Sequence, residues 1–155
     1  HPQMRELPLT YPIVVGRLSA GEWSSTVPDR LVFEGRLGVL VGESIEDARA
    51  VLEHSIGELC EIRWTGGQFA SGETPHGHPV AQAALAAASD VRGAPARVIG
   101  VPWGADMRLY CAAGIPCVMC GPGSVALAHA VDEHVQIEQL VGAARIAALF
   151  VLRSL

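Results

Sequence analysis

The stretch "TGGQFASGETPHGHP", residues 65–79, constrains this chain more than any other. Gly, Ser, Thr and Pro crowd it, so no helix or strand of ordinary length runs through it. The patterns on its two sides differ. Ahead of it, "YPIVVGRLSAG" and "DRLVFEGRLGVL" are runs of Val, Leu and Ile separated by the turn formers of "GEWSSTVPD", the signature of two strands and a connection. Ser44 with Asp47 three positions on is a capping-box arrangement, and Ile45, Ala48, Val51, Leu52 and Ile56 follow at helical spacing. "CEIRW" reads as a further strand. Strand, strand, helix, strand predicts a small α+β unit.

Beyond the break the pattern becomes helix–strand alternation. "PVAQAALAAASDVRG" is an alanine-rich helix with Pro79 at its start and Gly93 at its end. "ARVIGVP" predicts a strand, "GADMRLYCAAG" a short helix ended by Gly114, and "IPCVMC" a buried strand parallel to its neighbour. "VQIEQLVGAARIAALFVLRSL" closes as an amphipathic helix. The expectation is an α/β protein in three parts: residues 1–64, a linker at 65–78, and residues 79–155. The last part has few strands for a complete doubly wound sheet.

Composition narrows the partners. Half of the 155 residues are hydrophobic and 17% are charged, which suits a folded core rather than disorder. A net charge of -5 with scattered basic residues argues against nucleic acid or an anionic membrane. "HPQMRELPLTYPIVV" lacks the pattern of a secretory leader, and the last apolar segment is interrupted by Arg145 and Arg153. The expected location is cytoplasmic. The four cysteines agree: Cys117 and Cys120 form a CxxC without a second pair, and on a strand they read as core thiols rather than a zinc site.

Three places offer chemistry. His129 follows the turn "GPG" at the end of the predicted buried strand, where open α/β sheets place ligands, with Asp132 and Glu133 close behind. The spacing admits a metal ligand or a loop histidine with solvated acids, and HxxDE is short of the three protein ligands of a catalytic zinc. Asp106 stands at the start of a short helix, where the favoured reading is an N-cap. Arg36 lies mid-strand; it is able to fork onto a carboxylate, though an exposed strand face is the simpler explanation. His54, His76, His78 and His134 show no site spacing, and His76 and His78 read as solvated. There is no phosphate-binding glycine motif, no nucleophile elbow and no aromatic platform.

Together, "GADMR", "GIP", "GPG" and "AHAVDEHV" in that order resemble the C-terminal half of the co-catalytic zinc amidohydrolases typified by acetylornithine deacetylase, succinyl-diaminopimelate desuccinylase and the carboxypeptidase G type. The resemblance covers most of residues 11–152. It implies part of a ferredoxin-like lid and dimerisation domain at 1–64, and at 79–155 the last part of a catalytic domain with helices on a largely parallel sheet. It further implies that His129 binds one of two zinc ions, which cobalt or manganese can replace, and that Glu133 supports it from behind. Gly104 and Asp106 would line the substrate cleft, and Arg36 would hold a substrate carboxylate. The substrate would be a small N-acyl amino acid or related compound, hydrolysed by a metal-activated hydroxide, and the enzyme a homodimer through the lid.

The chain departs from that pattern. Ser25 stands where the lid usually has Asn, and Ser124 where many close relatives have an acid. The early His-x-Asp pair, the bridging Asp and the Glu-Glu pair with the general base are absent. The expectation is therefore a segment of a larger enzyme, binding no metal tightly and inactive alone. A non-catalytic binding or dimerisation module that keeps the fold is the alternative, and a purely structural role in an obligate oligomer is a third.

Overall fold

The computed structural model describes Met4, Arg5 and residues 12–154. The N-terminal stretch "HPQMRELPLTYPIVV" lies mostly outside these residues, Tyr11 of the first predicted strand included. The described chain is α/β, with one two-stranded sheet and four α-helices. It divides into two compact units: the described residues up to Ser71 with Gly100–Ala105, and Gly72–Ile99 with the residues from Asp106 on.

In the first unit, β1 (Ile13–Ala20) and β2 (Leu31–Leu37) pair antiparallel, with Ile13 opposite Leu37 and Leu18 opposite Phe33. The register slips between Val15 and Arg17, where Gly16 is the extra residue of a bulge. That slip matters because strand side chains alternate. It moves Leu18 to the side of Val15, so one face carries Ile13, Val15, Leu18, Leu31, Phe33 and Leu37. The other carries Arg17, Glu34 and Arg36, with Arg17 Nη1 3.3 Å from a Glu34 carboxylate oxygen. The apolar face is open: Leu18 is 67% exposed and Ile13 66%.

Helix α1 (Ile45–Ile56) starts as its sequence predicts. Ser44 Oγ accepts from the Asp47 N–H at 3.0 Å and donates to the Asp47 carboxylate at 2.8 Å. Residues 60–64, predicted as a strand, form no ladder. Instead the Trp64 indole donates to Glu53 at 2.7 Å, and the Arg49 guanidinium lies 5.6 Å from the Trp64 ring centroid while bonding Gln68. The segment is fastened to α1 by side chains rather than by a neighbouring strand.

In the second unit, α2 (Pro79–Arg92) packs against α4 (Ile137–Ser154). Pro79 occupies the first turn and Gly93 ends the helix at φ +66°, a left-handed conformation that glycine takes without strain. Ala81 and Ala87 are buried, their small side chains suiting a close helix approach, and Arg153 of α4 pairs with Asp90 of α2. Helix α3 (Met107–Ala112) is short and is followed by Gly114 at φ +74°.

The largely parallel sheet does not form among the described residues. Residues 96–102 and 115–120 run as irregular backbone without a ladder. Ile115 and Met119 are about half exposed, and Cys120 is exposed rather than in a core. A strand has no internal hydrogen bonds, so an apolar run becomes one only beside a partner. Here Cys117 finds a side chain instead. The buried Thr74 hydroxyl accepts from the Cys117 N–H at 2.9 Å and donates to its carbonyl at 2.6 Å.

Candidate functional site

The loop from Gly121 to Gln136 is built stepwise. Gly123, at φ +88°, donates its N–H to Gln139 Oε1 of α4 at 2.9 Å, anchoring the turn to that helix. Ser124 then caps a single 3-10 turn, Val125–Leu127, accepting from the Ala126 N–H at 3.3 Å. His129 follows at φ +64°, the one non-glycine residue with positive φ among the described residues. Histidine is among the residues enriched there, but the conformation still costs about 1–2 kcal/mol. The Glu133 carboxylate accepts from the His129 main-chain N–H at 3.1 Å. Both side chains are exposed. Further along, His134 Nδ1 lies 2.6 Å from the Asp132 carbonyl.

The other predicted site residues stand on other elements. Arg36 projects from β2, exposed, on the polar face. Gly104 belongs to the first unit, where the Phe69 ring lies over it; a Cβ there would come within 3.1 Å of that ring. Its local role is to admit Phe69. Asp106 belongs to the second unit, at the N-cap position of α3, yet its side chain makes no cap hydrogen bond. Its carboxylate stands 3.5 Å from the guanidinium of Arg108. Of the five predicted residues, the structure brings His129 and Glu133 together.

Three residues with local roles were not marked by the sequence. His78, read as solvated, caps α2 by accepting from the Val80 N–H through Nδ1 at 3.2 Å. The signal was its place directly before a proline that opens a helix. Thr74 and Gln139 gave no such signal, since each reaches a backbone group distant in sequence.

These donors do not by themselves fit a divalent metal. Glu133 spends one oxygen on a main-chain N–H. Among the described residues no group of three or more His, Cys, Asp or Glu is placed to hold an ion. No helix of the described residues is long and apolar enough to cross a membrane.

The chain is a member of peptidase family M20/M25/M40, whose family model matches residues 15–153. Membership places it among metal-dependent peptidases and hydrolases, which generally use zinc or another divalent metal. Comparison with curated proteins and with solved structures finds no significant match.

Proposed function

We propose that this chain is one portion of a zinc-dependent amidohydrolase of the acetylornithine deacetylase, succinyl-diaminopimelate desuccinylase and carboxypeptidase G branch. The whole enzyme removes an acyl group from an N-acyl amino acid or a related small compound. His129 is this portion's zinc ligand, supported by Glu133. Arg36 holds a substrate carboxylate, and Gly104 and Asp106 belong to the lining of the cleft. Residues 1–64 serve as part of a lid through which two copies associate, and residues 79–155 complete the catalytic domain after a linker at 65–78. The remaining ligands and the general base come from another polypeptide segment, so the chain alone is inactive. Its partners are the small substrate and a second copy, with no role for nucleic acid or membrane, and its four unpaired cysteines suit the cytoplasm.

The observation that carries this reading is the exposed His129 imidazole, on a loop tied by Glu133, within a family match that spans nearly the whole described chain. Zinc content and amidase activity of the chain, alone and mixed with a polypeptide that supplies the missing ligands, test it. The expected result is metal and activity in the mixture only, both lost in His129→Ala. No metal in either sample overturns it in favour of a module that keeps the fold without hydrolysis.

A further inference from the structure

Four successive N–H groups cross the His129 loop. Those of Leu127, Ala128 and Ala130 find main-chain carbonyls, at Ser124, Val125 and Leu127, 3.0–3.1 Å away. The fourth, on His129, finds the Glu133 carboxylate at 3.1 Å. The backbone of Glu133 is tied to the same loop, because its own N–H donates to the Ala130 carbonyl at 3.2 Å. The carboxylate therefore reaches back to the backbone of His129 and not to its ring. It does so at the one non-glycine residue among those described that is held at positive φ. A residue in that conformation persists only where its surroundings over-determine it.

We propose that Glu133 is the positioning residue of this loop: by accepting from the His129 main-chain N–H it holds His129 in the left-handed conformation and so fixes where the imidazole is presented. This rests on the reading of His129 as the ligand-presenting residue, and it changes how the acid works. A carboxylate that supports the imidazole directly must be charged or aimed at the ring. One that holds a main-chain N–H needs only an acceptor oxygen at the right length. Glutamine keeps that oxygen and that length; alanine keeps neither, and aspartate is one methylene short.

The test is hydrogen exchange at the His129 amide, measured by NMR on the full chain as wild type, Glu133→Ala, Glu133→Asp and Glu133→Gln. Protection at that amide should fall about tenfold in Glu133→Ala and Glu133→Asp and return in Glu133→Gln. Protection unchanged in Glu133→Ala overturns the proposal, as does loss in Glu133→Gln equal to that in Glu133→Ala. Zinc is then added to each variant mixed with the polypeptide that supplies the missing ligands, while the His129 ring resonances are followed. The proposal expects wild type and Glu133→Gln to respond alike and Glu133→Ala more weakly. A ring that responds in wild type but not in Glu133→Gln, with amide protection intact, overturns it in favour of a carboxylate acting on the imidazole. No ring response in any variant, with the amide pattern as expected, upholds the positioning role and sinks the ligand reading instead.

Discussion

The β1–β2 hairpin and the α2–α4 pair are both made from largely apolar stretches, and they differ on α2, where two alanines are buried, although no residue of α4 is. Ala87 on α2 is wholly buried, whereas Leu18 on β1 is 67% exposed, along with most of the apolar face around it. The difference follows from where each element finds its hydrogen bonds. A helix closes its own ladder and presents a finished stripe that a second helix covers. A two-stranded hairpin satisfies one edge of each strand and leaves its faces for something else to cover. Hydrophobic sequence is thus enough to bring helices together here, but not enough to build a sheet.

That contrast should appear first in the helix pair. Ala87→Leu pushes three more carbons into a site with no exposed surface, and overpacking of that kind costs about 1–3 kcal/mol. In urea unfolding the midpoint should fall with little change in slope. A variant as stable as the wild type would show that α2 and α4 are as loosely covered as the hairpin.

A smaller effect is expected where a side chain stands in for a strand partner. Thr74→Val keeps the shape and leaves the N–H and carbonyl of Cys117 without that hydroxyl, at a cost of roughly 1–2 kcal/mol. The Cys117 amide should exchange faster in the same variant. If neither stability nor exchange moves, residues 115–120 are held by something other than Thr74.

The same physics divides what the sequence shows from what it hides. The start of α1 at Ser44, the Pro79 and Gly93 ends of α2 and the halt of α3 before Gly114 are all local signals, and each stands where its chemistry predicts. The apolar runs at 60–64, 96–102 and 115–120 carry strand composition, but pairing is decided by partners far along the chain, and composition does not say whether they are present. At the site, the spacing of His129 and Glu133 places an acid behind a histidine. It cannot say that the carboxylate goes to the backbone, because that depends on the φ of His129 and on the bond from the Glu133 N–H to Ala130. The bulge at Gly16 is a similar case. A strict alternation through "IVVGRLSA" would put Arg17, not Leu18, on the side of Val15, and only the pairing reveals the slip.

The smallest expected effect falls on the hairpin and sharpens the comparison most. Association of two copies through strand edges leaves the apolar face open, because edge pairing joins backbones and does not cover side chains. Leu18→Ser should then alter stability by less than about 0.5 kcal/mol, and the change should not depend on protein concentration. A loss of about 1.5 kcal/mol or more has another meaning, since that is the scale of burying a leucine side chain. If such a loss grew smaller as the chain was diluted, a second copy would be lying on the face itself, because only association ties stability to concentration. The hairpin would then find cover for its apolar face as α2 finds it for Ala81 and Ala87, the helix within one chain and the strands between two.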